Sequence, residues 1–576
     1  MRKLIKYLKG YEKESIIGPL FKLLEACFEL LVPLVMARII DIGIKNADLP
    51  YILKMGAVLI SFGVLGLTCS LTAQYFAAKA ATGFGTELRK DLFSHINGLS
   101  YTELDTIGTS TLVTRITSDI NQAQAGVNLV LRLFLRSPFI VLGAVIMAFT
   151  INVKLAWIFV VLVPVLSVVI YGIMMISIPI YKKVQNKLDK VLLITRENLT
   201  GARVIRAFSR QKEEIGDFDG ESSQLMGIQL LVGRISALLN PITYVVVNVA
   251  IIIVLWFGGK TVYNGIITQG ELIALINYMS QILLALVALA SLIISFTKAS
   301  ASAIRINDVF EQSSDMKEGD TLVNPKKDAP KIVFDNVCFA YKGNKDSLSN
   351  LSFTVQPGQT IGIIGGTGAG KSTLVNLIPR FYDVREGAVK MDGVNVKDYP
   401  FGQLRRKAGV VPQNAVLFAG SIRDNMKWGK KDATDEEIYH ALEIAQAKEF
   451  VDDKPEGLDT IILQGGKNLS GGQRQRLTIA RALVGQPEVL ILDDSASALD
   501  FATDSRLRKA IAEKTKGMTV FIVSQRATTI RNADQIIVLD DGAAAGIGTH
   551  KELFETCEVY KEICLSQLSE KELGGS

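Results

Sequence analysis

Cysteine and histidine are scarce: the 576 residues include five Cys and three His. The cysteines (Cys27, Cys69, Cys338, Cys557 and Cys564) show no CxxC spacing, so neither a disulfide scaffold nor a thiolate metal site organises the chain. They read as inert buried thiols. Three His leave little for a His-based metal centre. Net charge is also small, +6, and gives no ground for a nucleic-acid partner. What is plentiful is apolar surface. Hydrophobic residues reach 49% and mean hydropathy is +0.29, yet 21% of residues are charged. That mixture excludes disordered and collagen-like classes. It describes two unlike parts averaged together, one soluble in lipid and one in water.

The first 300 residues hold six apolar stretches of the length that crosses a hydrocarbon core as helix, about 20 residues. They are roughly 16–42, 52–80, 128–151, 154–178, 239–264 and 272–298 within a membrane domain of residues 15–310. No cleavable leader precedes them; residues 1–14 are basic and amphipathic and predict an interfacial helix. Lys and Arg number five in that arm, four in 79–126 and ten in 181–235, against one in each opposite loop (Lys45, Lys154, Lys260). The asymmetry places the N-terminus and both long loops in the cytoplasm, and an even number of spans returns the second half there. The two loops are too long for simple connections. Helices that run on past the bilayer as stalks account for them, with about 20 extra residues reaching roughly 30 Å. Their polar tips, Thr106–Ser110 and Asn198–Ala202, would touch a soluble domain. Glu25, inside the first span, is a candidate ligand for polar or cationic substrate, or else a structural hydrogen-bonding group. Arg132 and Arg136 read as anchors at the inner interface.

Residues 311–331 are a polar linker. From Ile332 to about 565, short β-branched strands alternate with amphipathic helices, the pattern of an α/β domain, and 566–576 form a tail. The strand Thr360–Ile364 runs into Gly365, Gly366, Thr367, Gly368, Ala369, Gly370, Lys371 and Ser372, followed by Thr373. This is GxxxxGK[ST] between strand and helix, a P-loop: backbone N–H groups and a helix N-terminus cradle phosphate, Lys371 reaches the β/γ-phosphates and Ser372 ligates Mg²⁺. A buried strand ending in Asp493 supplies the acidic group for the Mg²⁺ shell. ATP and Mg²⁺ are therefore the expected cofactors.

Between these motifs stand Leu469, Ser470, Gly471, Gly472 and Gln473. LSGGQ after a P-loop and before an acidic strand resembles the ATP-binding-cassette ATPases. Six spans with two stalked loops ahead of it resemble the half-transporter ABC exporters, over about residues 15–565. The resemblance implies a polytopic α-helical membrane domain followed by an α/β P-loop ATPase domain. It also implies that Tyr341 stacks on adenine, that Gln413 meets Mg²⁺ and the membrane domain, and that Asp500 lies at an interface between two cassettes. In such proteins ATP is held between the P-loop of one cassette and the LSGGQ of another.

Three positions depart from the family pattern. Asp494 stands where the general base is Glu, Gln525 where a switch residue is His, and Gln464 where a cross-talk residue is Glu. Losing one methylene withdraws a carboxylate by roughly 1–1.5 Å, and about 1 Å of misplacement can cost on the order of 100-fold. Gln donates a hydrogen bond but takes no positive charge. The chain thus resembles the degenerate-site half of heterodimeric bacterial multidrug exporters, with a homologous chain carrying Glu and His as partner. Implied are a multi-pass inner-membrane location and a hydrophobic or amphipathic substrate. A homodimeric lipid or peptide exporter fits the same motifs, as does an ATP-gated channel or regulatory subunit.

Overall fold

The computed structural model describes residues 2–567 except 315, 320, 321, 327, 342–345, 496 and 497. The predicted tail beyond 567 and those parts of the linker lie outside the described residues. Two compact units result, one of Met1–Asn97 with Ser110–Glu311, the other of Gly98–Thr109 with the chain from Gln312 onward.

The first unit is helical. Among the described residues, five helical stretches are long and apolar enough to cross a membrane: Leu49–Asn97, Thr109–Ile151, Val153–Thr200, Gln211–Tyr263 and Gln269–Glu311. The first predicted span lies in the helix Glu12–Arg38, which carries Lys22, Glu25 and Glu29 along its middle. At 1.5 Å per residue, the 49 residues of Leu49–Asn97 and the 48 of Val153–Thr200 far exceed a bilayer core. Stalk and span are one continuous helix in each. The predicted third span is interrupted, because helix Ile120–Leu133 stops and a new one runs Arg136–Ile151. Pro138 explains the gap: it has no N–H to give the carbonyl of Phe134, and its ring crowds that carbonyl.

Small residues let helices approach closely where lipid gives no hydrophobic incentive to associate. Ala73, Ala77, Ala80 and Ala81 are buried on one side of Leu49–Asn97, and a side chain at Gly18 would touch the Ala77 backbone nitrogen at 3.4 Å. Tyr278, fully buried, donates to the Leu30 carbonyl at 2.7 Å and pins the last helix to the first. At the other end Asp41 accepts from the Gly270 N–H at 2.8 Å and the Thr268 hydroxyl at 2.5 Å, supplying an acceptor for the open start of helix Gln269–Glu311. Ile60, Leu67, Val161, Val168, Ile252 and Trp256 are exposed, as lipid-facing side chains are.

Several charged groups within the spans are paired. Lys22 donates to Glu25 at 2.5 Å and to Ser70 at 3.1 Å, and Arg136 donates to Glu29 at 2.7 Å. Arg132 reaches Gln74 at 3.4 Å. The two arginines expected as interface anchors are therefore engaged with neighbouring helices. Residues Arg2–Leu8 form a 3-10 helix, with Leu4 and Tyr7 buried and Tyr7 donating to Asp91 beside Phe84 and Phe310.

The second unit is layered α/β. Strands β1 (Ile332–Phe339), β2 (Leu348–Val355), β4 (Glu386–Met391) and β5 (Val394–Asn395) make an antiparallel sheet in the order β2-β1-β4-β5. Strands β3 (Thr360–Gly365), β6 (Ala408–Val411), β9 (Val489–Asp493), β10 (Thr519–Val523), β11 (Gln535–Asp540) and β12 (Ala543–Gly548) make the second, ordered β12-β11-β3-β10-β9-β6. Its pairs are parallel except β11 with β12. A short antiparallel pair, β7 (Gly420–Ser421) with β8 (Ile461–Ile462), belongs to a helical region that includes Asp435–Ile444 and Gly471–Val484.

Four alternating charges join the two sheets. Lys331, at the start of β1, and Lys407 each contact both Asp392 and Glu488, the latter just before β9. Burial opposes ionisation of Asp392, but the two ammonium groups outweigh it and hold its carboxyl below the usual range. A group with a depressed folded pKa contributes stability above its unfolded value, about 3.9, and loses it as pH falls through the folded one. Asp392→Asn should destabilise the cassette by about 3 kcal/mol at pH 7, because it leaves buried lysines short of charge. The difference from wild type should shrink below about pH 4, as measured by denaturant melts at pH 7 and pH 3.5.

Candidate active site

Parallel pairing decides what meets at one edge. Val523 of β10 stands opposite Asp493 of β9 and Ile363 of β3, and Val411 of β6 opposite Leu492. The carboxyl ends of four strands are thereby level, which is where open α/β sheets bind ligands. From these ends project the loop after Gly365, the pair Asp493–Asp494, Gln413 and Gln525. A cavity of about 130 Å³ is lined by Thr367, Gly368, Lys371, Ser372, Gln413, Asp493, Asp494, Val523 and Gln525.

The loop's shape needs its glycines. Gly368 and Gly370 sit at φ 83° and 92°, and a side chain at Gly370 would press on the Ser347 carbonyl at 2.7 Å. Helix Lys371–Leu377 starts there and is anchored by buried Leu374, Val375 and Leu377. Its first turn carries both Lys371 and Ser372. Lys371 donates to the carbonyls of Gly365 and Gly366 at 3.0 and 2.6 Å, so its ammonium lies along the loop. Burial lowers its pKa, opposed by Asp494 and Asp493. Ser372 donates to Asp493 at 3.0 Å, so the hydroxyl and carboxylate 121 residues apart share one site. Asp493, only 8% exposed, has its pKa raised by burial and by Asp494, with the Ser372 bond working against them.

Asp494 is left-handed at φ 45°, its N–H donating to the Val523 carbonyl at 3.0 Å; Gln413 donates to its carboxylate at 3.4 Å. Asp tolerates that conformation better than longer side chains do. On the other side of Lys371 a shallower cavity, about 410 Å³, is lined by Tyr341, Gly370, Ser372, Thr373 and Gly542 among others. Tyr341, 40% exposed, hydrogen-bonds Thr373 at 3.2 Å and meets the rings of Phe339 and Tyr382 edge to face. The oxygen donors Ser372, Asp493 and Gln413 suit a hard cation that completes its shell with phosphate oxygens.

Leu469–Gln473 stands apart. Ser470 caps helix Gly471–Val484 by a capping box with Gln473: its hydroxyl accepts the Gln473 N–H at 3.2 Å, and its own N–H goes to Oε1 at 3.0 Å. Leu469 is buried and anchors the turn, while Ser470 and Gly471 are exposed and nothing lies within 4 Å of a side chain at Gly471. Open N–H groups on a helix N-terminus attract an anion, but no residue of this motif lines either cavity. Asp500 likewise caps helix Phe501–Lys514, accepting from the Thr503 N–H and hydroxyl, both at 2.8 Å. Gln464 is exposed in a 3-10 turn.

Sequence reasoning missed Tyr382. Its hydroxyl donates to Asp105 at 2.7 Å, and its ring touches Tyr341 at 5.3 Å and Tyr101 at 6.0 Å. Tyr101–Ile107 is a helix capped by Ser100 and Glu103 and ended by Gly108 at φ 79°. The first loop's contact thus lies at Tyr101 and Asp105, just ahead of the predicted tip. An acidic residue inside a capped seven-residue helix was the available signal. The second loop's helix, Ala202–Ala207, buries no residue.

A P-loop ATPase core fused to a helical membrane domain is what the fold and the site define. The comparisons narrow this. Residues 15–286 match the family model of the ABC transporter transmembrane region, and residues 348–497 match that of the ABC transporter. An uncharacterised ABC transporter ATP-binding protein of Bacillus subtilis, YfiB, is 37% identical over 98% of both chains. The ATP-dependent lipid A-core flippase of Hahella chejuensis is 32% identical over 88% of this chain and 87% of its own. The structure of a bacterial Atm1-family ABC exporter with ATP bound superposes with a TM-score of 0.80 at 23% identity, covering 97% of this chain and 99% of the other. The chain belongs to the ABC transporters: a multi-pass membrane protein that binds and hydrolyses ATP.

Two outcomes follow from this geometry. Asp493→Asn removes a buried charge and should raise the melting temperature of the nucleotide-free protein, while the further rise on adding ATP with Mg²⁺ should vanish; thermal melts read both. Tyr382→Phe should weaken the ATP-dependent slowing of amide exchange in residues 101–107, measured by hydrogen–deuterium exchange.

Proposed function

We propose that this chain is one half of an exporter that drives hydrophobic or amphipathic compounds, of multidrug type, out across the cytoplasmic membrane. Its partner is a homologous half-transporter with Glu and His where this chain has Asp494 and Gln525. The observation that carries the proposal is the separation within one chain of the nucleotide cavity from LSGGQ, whose open helix N-terminus is built to meet an anion. Two chains together provide both halves of each ATP site. The site on this P-loop has Asp494 and Gln525 and hydrolyses slowly. The site completed by this chain's Ser470 and Gly471 is the fast one.

Ser372, Asp493 and Gln413 would hold Mg²⁺, which when bound neutralises phosphate charge. Tyr341 would stack on the base, and Lys371 would leave the loop carbonyls for the phosphates. Exposed Leu199, Val204 and Phe208 around the second loop's tip, and the exposed stacked pair Phe418–Trp428 on the cassette, support a second chain as cover. The Lys/Arg asymmetry supports a cytoplasmic ATPase. Glu25, held by Lys22, would take part in substrate binding only by exchanging that partner. A second reading, a homodimeric lipid flippase, is favoured by the similarity to the Hahella protein.

Ser470→Arg should nearly abolish ATP turnover of the purified assembly, whereas Lys371→Ala should leave a substantial fraction. The opposite ranking contradicts the asymmetric scheme, and a native mass of two identical chains supports the flippase reading.

A further inference from the structure

The helix Glu558–Gln567 buries Tyr560 and Cys564 against Ala527, Ile530, Ile536 and Val538. Residue 567 follows on the same face, at the i, i+4, i+7 spacing. Its carboxamide clasps the segment that carries Gln525: Nε2 donates to the Gln525 carbonyl at 2.8 Å and Oε1 accepts the Ala527 N–H at 2.9 Å. Ala527 opens the helix Ala527–Ile530, and its cap residue Arg526 gives no side-chain bond. The first N–H groups of a helix have no partner inside it, so Gln567 supplies one from another element. On the opposite side the Ser524 N–H donates to the Ile363 carbonyl at 3.0 Å, and the Ser524 hydroxyl accepts the Arg526 N–H at 3.0 Å. The segment is held from two directions, and between the anchors Gln525 lines the cavity with Lys371, Asp493 and Asp494. The clasp needs one donor and one acceptor in a single planar group. A carboxamide has both; a carboxylate has no donor.

We infer that Gln567 is a positioning residue that holds Gln525 at the phosphate end of this chain's nucleotide cavity, so that the C-terminal helix sets how long ATP stays on this P-loop. The inference rests on the reading of that cavity as an ATP site. Gln567→Glu breaks the bond to the Gln525 carbonyl and sets a negative charge beside the segment; Gln567→Asn keeps both functions on a shorter arm.

The test uses the full-length assembly in lipid nanodiscs, loaded with a photoreactive ATP analogue and cross-linked at intervals after dilution, with the labelled chain identified by mass. Gln567→Glu should shorten the lifetime of nucleotide on this chain about tenfold, which is about 1.4 kcal/mol, and Gln567→Asn should shorten it less. The melting temperature of the nucleotide-free variants should match wild type. In the background of Gln525→Ala, Gln567→Glu should add nothing further, since the clasp acts through Gln525. An unchanged lifetime in Gln567→Glu, or additive effects of the two substitutions, overturns the inference alone. A wild-type chain that takes no label overturns the reading of the cavity, and the inference with it.

Discussion

The level parallel register of four strands is the constraint on which the site depends. Because Val523 faces Asp493 and Ile363, and Val411 faces Leu492, the groups that follow these residues emerge side by side. A slip of one residue would turn each buried strand side chain to the other face of the sheet. It would also part Ser372 from Asp493, which now share a hydrogen bond of 3.0 Å. The buried apolar runs of β3, β9 and β11 are covered on both faces, as strands of a parallel sheet are. The charge ring of Lys331, Asp392, Lys407 and Glu488 then fastens the second sheet to the first.

Electrostatics within the cavity is deliberately unbalanced. Burial lifts the pKa of Asp493 and depresses that of Lys371, so both groups are held against their preferred solvation. A cation near the first and an anion near the second relieve both penalties, which is the physical basis for a site that binds a phosphate with its counter-ion. The same rim is tied to the loop helix Tyr101–Ile107 through Tyr382, which touches Tyr341 on one side and Asp105 on the other. Movement of Tyr341 toward Tyr382 therefore meets a packed, hydrogen-bonded neighbour.

Much of this was legible in the residues. Apolar runs longer than a bilayer needs, loops too long to be loops, and the P-loop between strand and helix each follow from local rules of length and backbone geometry. The stalks in particular were implied by connections far longer than loops need, and Leu49–Asn97 and Val153–Thr200 are single helices, the latter running on through Pro164 and Pro179. Local rules also have local blind spots. Pro138 interrupts the third span at Phe134–Leu135, and the apolar length of that segment gives no sign of it, because hydropathy does not register a single missing N–H.

By itself, then, the sequence determined the class, membrane helices and an α/β ATPase, and named the residues proposed to hold phosphate and metal, through contiguous motifs whose chemistry travels with the chain. Only the tertiary structure decided the partnerships. Glu25 with Lys22, Arg136 with Glu29, Tyr382 with Asp105 and Gln567 with the Gln525 segment join positions between 3 and 277 residues apart. The structure also shows that no residue of LSGGQ lines the cavity beside Lys371. Such pairings depend on which faces of rigid elements come to rest against one another, a property of the packed whole that no run of neighbouring residues encodes.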